Sequence, residues 1–223
     1  MSARSALVAG ATGLVGRELM ALLAADGRWS DVHALVRKPL AAGAWPESAK
    51  ATLHEHVVDF AHLARTRLAG RVDDAFVCLG TTIRTAGTRE AFRAVDFDYV
   101  VATARLAQRR GARRLAVVSA MGADAGSRVF YNRVKGEVEA ALIGLALDSL
   151  TLVRPSLLAG ERIERRPAEQ LALRVVAPIG ALLPRRYRPV PAAAVARCMI
   201  DAVFRGAPGV RVVESDRIQD FAR

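Results

Sequence analysis

The stretch "VAGATGLVGRELMALL", residues 8–23, passes directly from a strand through a glycine-rich turn into a helix. Gly10, Gly13 and Gly16 follow the spacing G-x-x-G-x-x-G. In a dinucleotide-binding turn the first glycine permits the tight turn, the second lets a pyrophosphate approach bare backbone, and the third lets helix and strand pack closely. Glycine spacing alone also fits a structural turn, but a turn that follows the first strand and opens a helix favours a nucleotide site. The predicted cofactor contacts of the turn, where N–H groups face the phosphates, are Gly10, Ala11, Thr12, Gly13, Leu14, Val15 and Gly16.

Short apolar runs rich in β-branched residues alternate with longer helical stretches along the rest of the chain. This alternation predicts an α/β fold with a doubly wound parallel sheet, Rossmann-type, whose helices cover both faces. At 223 residues the chain is expected to form a single domain, 1–223. The predicted strands are 5–10, 32–37, 53–59, 74–80, 114–120, 149–155 and 210–215, and the predicted helices are 14–25, 88–110, 131–146 and 191–205.

The segment 158–191 departs from the alternation and is rich in proline and arginine. In doubly wound folds ligands bind outside the carboxyl ends of the strands, so an insertion after the sixth strand is placed to cover a substrate. We therefore expect a lid here. A surface excursion that packs on the sheet or forms a subunit contact is the alternative, and attachment of 171–188 to a membrane surface is a third, weaker hypothesis.

The formal net charge of +11 raises the question of a nucleic-acid partner. The excess is almost entirely arginine, scattered through an alanine-rich sequence in short pairs with no aromatic residues between them to stack on bases. A solvated basic surface explains this pattern better than a polynucleotide site. No nucleic-acid partner is expected.

The cysteines, the first residues and the longest apolar stretch indicate the cellular compartment. Cys78 and Cys198 lie far apart with no partner motif, which argues against a disulfide framework and favours a reducing compartment. The first residues run straight into a predicted strand, so no signal peptide is expected. The apolar stretch 171–184 is interrupted by Arg174 and Pro178, so no transmembrane helix is expected either. We predict a soluble cytoplasmic protein.

The end of the second predicted strand indicates which dinucleotide binds. An acidic residue there would bind the ribose 2′-hydroxyl of NAD(H), but Arg37 and Lys38 occupy the place, and two cations suit the 2′-phosphate of NADP(H). Ordinary surface charges are the alternative. Asp59 ends the third predicted strand, where it would either accept a hydrogen bond from the adenine amino group or cap the helix that begins near Ala61.

Tyr131 and Lys135 lie one turn apart in the predicted helix 131–146 and share a face. Delivery of a hydride to a carbonyl requires a proton donor, and a nearby ammonium brings a phenol closer to the neutral pH at which it can act. In the alternative, Tyr131 is a core residue and Lys135 either snorkels to water at the edge of the apolar stripe or pairs with Glu139, one turn later. The predicted nucleotide turn and Ser119, twelve residues upstream of Tyr131, favour a catalytic or cofactor role.

Six stretches in this order resemble the short-chain dehydrogenase/reductase superfamily: "GATGLVG", "LVRK", "VVD", "CLGTT", "VSAMGAD" and "YNRVKGEVE". More narrowly, the chain is similar to the atypical NAD(P)-binding group of Tat-interacting oxidoreductase-like proteins, most strongly over 5–160. The resemblance implies a Ser119, Tyr131 and Lys135 active site, with Lys135 also holding the nicotinamide ribose. It also implies nicotinamide-side contacts from Cys78, Leu79, Gly80, Thr81, Pro155 and Leu157. Where many relatives have an asparagine this chain has Asp96, and the serine pair of the fifth strand is Ser119-Ala120.

Two functions are consistent with these features. The first is an NADP(H)-dependent oxidoreductase that acts on a small carbonyl or alcohol substrate; the second is a non-enzymatic NADP(H)-binding regulator that senses redox state. A homodimer or a protein partner is compatible with both. His54, His56 and His62 have no completed set of metal ligands nearby and are interpreted as strand and surface residues, so no metal site is predicted.

Overall fold

The computed structural model describes residues 4–68, 70–159 and 183–222. Within these ranges a seven-stranded sheet has the order β3-β2-β1-β4-β5-β6-β9, and every neighbouring pair is parallel. A separate two-stranded parallel pair joins β7 to β8. The strands are β1 Arg4–Ala9, β2 Trp29–Val36, β3 Thr52–Val57, β4 Asp74–Val77, β5 Arg114–Val118, β6 Ser149–Arg154, β7 Leu158–Ala159, β8 Val190–Pro191 and β9 Gly209–Glu214.

Helices cover both faces of the sheet. Ala6 and Val8 of β1 belong to a core with α1 and α6, while Leu7 and Ala9 belong to a second core with α4 and α5. Alternate residues of a strand point to opposite faces, so a strand buried on both sides reads as a continuous apolar run. The predicted doubly wound fold is confirmed. The helices are α1 Leu14–Ala25, α2 Ile83–Ala86, α3 Arg89–Arg93, α4 Tyr99–Arg109, α5 Phe130–Ile143, α6 Ala192–Arg205 and α7 Ser215–Ile218, with 3₁₀ turns at Phe60–Arg65, Arg185–Tyr187 and Gln219–Phe221.

The predicted helix 88–110 is wrong in one respect, because it is not continuous. A π-helical turn, Ala94–Asp98, separates α3 from α4. Asp96 lies in this turn and is buried. Its carboxylate accepts a hydrogen bond from the Thr81 N–H and pairs with the ammonium of Lys135. Such turns widen a helix locally and occur frequently at functional sites.

The ends of the segment 158–191 lie beside the carboxyl end of β6. The Ser156 hydroxyl donates to the Arg188 carbonyl at 2.5 Å, and the Val190 N–H donates to the Leu157 carbonyl at 2.8 Å. The remainder of the predicted lid, 160–182, lies outside the described residues, and so does most of the stretch 171–188. None of the helices in the described ranges is both long enough and apolar enough to cross a bilayer.

Candidate active site

The glycine turn places bare backbone at the carboxyl end of β1. Gly10 has φ +86°, and a Cβ there would lie 2.6 Å from the carbonyl carbon of Cys78. A Cβ on Gly16 would lie 1.9 Å from the Gly10 oxygen, so α1 packs against the turn more closely than any side chain permits. Gly13 precedes α1, and no side chain caps the helix and no acidic residue occupies its first turn. The N–H groups and positive dipole of this helix end therefore suit a phosphate.

Arg37 and Lys38 follow β2 directly and are exposed. Among the described residues neither forms an ion pair. The Leu40 N–H donates to Glu55 Oε2 at 2.9 Å, which ties this loop to β3. Two cations thus lie at the end of β2, level with the glycine turn that follows the neighbouring β1.

Asp59 caps the 3₁₀ turn Phe60–Arg65. Its carboxylate accepts from the Ala61 N–H at 2.9 Å and from His62 Nδ1 at 2.7 Å. The hydrogen bonds from His62 and Ala61 lower the pKa of Asp59. The capping interpretation is what the structure shows, and the adenine contact stays a prediction.

The loop after β4 passes between the glycine turn and α5. The Cys78 sulfur lies 3.9 Å from Met199 Sδ, and burial raises the pKa of its thiol to about 12. The Thr81 N–H donates to Asp96 Oδ2 at 2.8 Å. A Cβ on Gly80 would lie 3.9 Å from Lys135 Nζ, which places the backbone of this loop over the lysine.

Lys135 is buried and its ammonium pairs with Asp96. The Nζ atom lies 2.8 Å from Asp96 Oδ1, and both side chains are at most 5% exposed. Desolvation alone would lower the pKa of Lys135, but the charge of Asp96 and a smaller contribution from Tyr131 outweigh it, so the pKa is raised. The snorkelling alternative for Lys135 is therefore wrong, because its charge lies inside the protein rather than in water.

Tyr131 lies one turn before Lys135 on α5 and is half-buried. Its ring packs on Phe92 of α3, with centroids 5.6 Å apart. No described residue hydrogen-bonds its hydroxyl. Packing on Phe92 orients the ring, and Tyr131 also interacts electrostatically with Lys135.

Ser119 follows β5 and is also buried, but its hydroxyl is engaged. It donates to Glu139 Oε1 at 2.5 Å, and the same carboxylate accepts two hydrogen bonds from Arg154, at 2.9 and 2.5 Å. The hydrogen bonds that Arg154 donates to Glu139 are the main reason that the pKa of Arg154 is raised. The structure thus places Lys135 at the loop after β4, one helical turn from Tyr131, while Ser119 is connected to them through Glu139 of α5.

The predicted contacts after β6 lie at the same edge of the sheet. Pro155 is buried, and its carbonyl accepts from the Met121 N–H at 3.0 Å. Leu157 is 45% exposed, although its backbone pairs with β8. Both residues border the beginning of the predicted lid.

Three residues with a clear role in this geometry were not predicted as site residues: Asp96, noted only at the position of the relatives' asparagine; Glu139, considered only as a partner of Lys135, which pairs with Asp96 instead; and Gly136. A Cβ on Gly136 would lie 2.0 Å from the Ala125 nitrogen, so this glycine lets α5 rest directly on the loop after β5. The sequence signal was weak, because "AVDFDYV" holds Asp98 beside Asp96 and "GEVEAAL" holds Glu137 beside Glu139, and only the structure distinguishes the buried member of each pair. Buried carboxylates need partners, and here these are Lys135 and Arg154.

Three of the four histidines, His33, His54 and His56, form a separate cluster on β2 and β3. The His33 ring stacks on His54 and lies with its Nδ1 3.0 Å from His56 Nε2. In the part of the chain that the structure describes, no group of three or more His, Cys, Asp or Glu side chains is arranged to hold a metal ion.

A family model described as NAD(P)H-binding matches residues 10–205, which includes the glycine turn, the loop after β4 and α5. The chain belongs to this NAD(P)H-binding family. It is 34% identical to protein HTATIP2 of Rattus norvegicus over 98% of its own length and 89% of that protein. It is 37% identical to the mitochondrial protein FMP52 of Eremothecium gossypii, over 71% of this chain and 68% of that one. The resemblance to atypical short-chain dehydrogenase/reductases is thereby confirmed.

Solved structures share the fold of this NAD(P)H-binding protein at low sequence identity. MoeE5 in complex with UDP-glucose and NAD superposes with a TM-score of 0.68 at 17% identity, covering 96% of this chain and 79% of that one. A short chain dehydrogenase/reductase family oxidoreductase from Burkholderia thailandensis superposes with a TM-score of 0.65 at 21% identity, covering 98% and 94%. These likenesses establish the Rossmann-like fold, in which the carboxyl edge of the sheet is the place for a ligand.

Proposed function

We propose that this chain is an NADP(H)-dependent oxidoreductase that acts on a small carbonyl or alcohol through Tyr131, Lys135 and Ser119. The observation that carries the proposal is the position of Lys135. Its buried ammonium lies under the Gly80 backbone, one helical turn from a phenol whose oxygen has no described hydrogen-bond partner. A buried lysine beside a tyrosine in a dinucleotide-binding fold is suited to proton transfer at a carbonyl oxygen.

Each residue has a defined part in the chemistry. Bound NADP(H) would supply or accept the hydride. Tyr131 gives the carbonyl oxygen its proton on reduction and removes it on oxidation. The ammonium of Lys135 has donors left over after Asp96 is satisfied, and these favour the phenolate and hold the nicotinamide ribose. Ser119 donates to the substrate oxygen if its hydroxyl turns away from Glu139.

The remaining predicted contacts fit the cofactor. The uncapped start of α1 and the bare backbone of Gly10 and Gly13 suit the pyrophosphate. The exposed, unpaired Arg37 and Lys38 favour the 2′-phosphate of NADP(H) over the free hydroxyl of NAD(H). Asp59, Cys78, Thr81, Pro155 and Leu157 remain proposed contacts on the adenine and nicotinamide sides.

The proposal is tested by replacing the phenol alone. Tyr131→Phe should lower the NADPH-dependent turnover of a carbonyl substrate by at least about 100-fold, because the ring stays and the proton donor is lost. Its affinity for NADPH should change little. Tyr99→Phe, a half-buried tyrosine that packs on Phe60, is the matched control and should keep full turnover. A Tyr131→Phe variant with an unchanged rate would refute the assignment.

The non-enzymatic regulator is the second candidate, and one observation favours it. The Ser119 hydroxyl donates to Glu139, whose carboxylate is clamped by Arg154, so the group expected to contact substrate is bound within the protein. A panel of carbonyl substrates that fails to oxidise NADPH, together with a protein partner captured only when NADPH is present, would favour the regulator. Oxidation of NADPH by the panel favours the enzyme.

Several broader proposals accompany this function. The chain is proposed to be one domain, to take a small-molecule substrate rather than nucleic acid, and to form a homodimer or bind a protein partner. The segment 158–191 is proposed as the substrate lid. A cytoplasmic location is proposed as well; the FMP52 relatives are named mitochondrial, so fractionation of cells has to decide between the two compartments.

A further inference from the structure

Exposed arginines lie on the two chain segments that adjoin Tyr131. Arg84 is in α2, three residues after Thr81, and Arg89 begins α3. Arg128 precedes Tyr131 by three residues, in the loop between β5 and α5. All three are exposed, and within the described part of the chain none of their guanidinium groups forms an ion pair or a hydrogen bond. We call Arg84, Arg89 and Arg128 the arginine rim.

Aromatic packing connects this rim to Tyr131. The ring of Phe92 contacts the rings of Tyr131 and Phe130, with centroids 5.6 and 5.7 Å away. The guanidinium of Arg89 in turn lies over the Phe130 ring, 5.1 Å from its centroid. This contact orients Arg89 in advance and leaves its N–H groups available to an anion.

The charged groups around the arginine rim have partners more often than the rim itself. Arg93 and Arg133 both pair with Glu137 of α5. Within 81–93 and 120–135, the carboxylates without a cationic partner are Glu90, which is exposed, and Asp124, which accepts from a backbone N–H of its own loop at 2.9 Å. The unpaired arginines outnumber these carboxylates, so the potential at the rim is positive.

Two of the rim arginines have an exposed apolar neighbour. Ile83, next to Arg84, is 42% exposed, and Val129, next to Arg128, is 58% exposed. A single exposed apolar residue is ordinary on a protein surface. The same combination of an apolar side chain and an unpaired arginine on two segments beside Tyr131 suits a ligand that has an apolar body and an anionic group.

We propose that the site takes a carbonyl compound with an apolar body and an anionic group, either a carboxylate or a phosphate ester, and that the arginine rim selects it. The inference rests on the proposed function and names its substrate class. A guanidinium binds either anion through paired N–H groups, and a positive potential raises the local concentration of anions. Neutral carbonyl compounds of the same size gain neither contribution, so they bind more weakly.

The experiment measures binding and needs no turnover. Purified protein in the presence of NADP⁺ is titrated calorimetrically with the semialdehyde of azelaic acid, whose flexible apolar chain joins an aldehyde to a carboxylate. The reference ligand is the methyl ester of the same compound, which carries no charge. We expect the carboxylate to bind at least about tenfold more tightly than the ester at low ionic strength. An aldehyde of the same length that ends in a phosphate ester distinguishes the two anions.

Removal of the rim charges should abolish this preference. In Arg84→Gln/Arg89→Gln/Arg128→Gln, the carboxylate and its ester should bind with equal affinity. The three side chains are exposed, so the variant should keep the thermal unfolding midpoint of the wild type.

The matched control removes the same charge elsewhere on the surface. Arg67 precedes β4, and Arg105 and Arg109 lie on α4; all are exposed, and none has an ion pair among the described residues. Arg67→Gln/Arg105→Gln/Arg109→Gln should retain the preference for the carboxylate.

The outcomes separate this inference from the proposed function. A preference for the carboxylate or the phosphate that is lost in the rim variant and kept in the control supports the inference even if no aldehyde oxidises NADPH, in which case only the proposed function fails. Oxidation of NADPH by carboxylate and ester, with equal affinities for both, overturns the inference alone. It is also overturned if the wild type binds neither anion, if the preference survives in the rim variant, or if the control loses it too.

Discussion

The two ends of the parallel sheet each bury a carboxylate, and they surround it differently. At the amino end, Asp74 begins β4 and is fully buried among groups that begin the neighbouring strands. It accepts from Trp29 Nε1 at 2.8 Å, from Arg114 Nε at 2.6 Å and from Arg4 at 3.5 Å. At the carboxyl end, Asp96 has one ammonium and one backbone N–H.

The contrast predicts that the amino end serves stability and the carboxyl end the proposed chemistry. The partners of Asp74 are two arginines and an indole that start β1, β5 and β2, so the sheet topology itself assembles the cluster. The partner of Asp96 is the ammonium of Lys135, which lies one helical turn from the phenol of Tyr131 and next to the backbone of Gly80. Burial raises the pKa of Asp74, although Arg114, Trp29 and Arg4 oppose the shift.

The largest expected effect lies at the amino end. Asp74→Ala leaves the buried Trp29 N–H without an acceptor and two arginines without their counter-charge. We expect the free energy of unfolding to fall by about 3 kcal/mol. Thermal and urea unfolding measure the loss, with Asp98→Ala as the exposed control. If Asp74→Ala instead weakened NADPH binding without loss of stability, the division between the two ends would be wrong.

At the carboxyl end, Gly16→Ala should act on the cofactor site. The added Cβ would lie 1.9 Å from the Gly10 oxygen, so the turn has to move and its backbone no longer meets the pyrophosphate. We expect about a 100-fold weaker affinity for NADPH, or about 2.7 kcal/mol. Gly27→Ala is the control, because its Cβ would make an ordinary contact at 3.7 Å with Lys50. Equal NADPH affinities in the two variants would mean that the turn does not bind the cofactor.

The choice between cofactors is expected to depend on a smaller effect at the same end. Arg37→Glu places a negative charge where the 2′-phosphate is proposed to bind and should reduce the preference for NADPH over NADH by about tenfold. Isothermal titration with both cofactors measures the ratio. Arg105→Glu, at an exposed position of α4, is the control, because it changes the net charge by the same amount. If it reduced the preference for NADPH as much as Arg37→Glu does, the preference would depend on overall charge and not on Arg37.

The smallest expected effect concerns His33, in the middle of β2 and away from both ends. Burial, with the neighbouring His54 and His56, lowers the pKa of His33 to about 4, against 6.5 for a free histidine. The unfolded chain therefore binds more protons between pH 6.5 and 4, so the stability that His33 contributes is present above pH 6.5 and is lost as the pH falls towards 4. After allowance for solvent screening we expect a loss of about 1 kcal/mol over this window.

Thermal unfolding from pH 7 to 4.5 tests this dependence. His33→Gln should flatten the acid side of the profile, whereas His62→Gln, on an exposed turn, should leave it unchanged. A wild-type profile that is flat between pH 6.5 and 4.5 would show that the histidine cluster stays solvated.

The parts of this structure that could be predicted from the sequence are those that neighbouring residues specify. The glycine turn, the seven strands and the helix with Tyr131 and Lys135 are specified by neighbouring residues, and all are found close to their predicted bounds. Asp59 as a helix cap is also a local feature. The Asp96–Lys135 pair depends on a π-helical turn within a run whose spacing reads as one continuous helix, and the Ser119–Glu139 bond joins two elements that only the folded chain brings together. The sequence pattern thus contained no signal for the long-range pairing of these polar groups.

The most direct test of the central claim is calorimetric titration of the purified wild-type chain with NADPH and with NADH. The account predicts saturable binding of one cofactor per chain, tighter for NADPH, with the difference removed by Arg37→Glu. A folded protein that binds neither cofactor at millimolar concentration would contradict it.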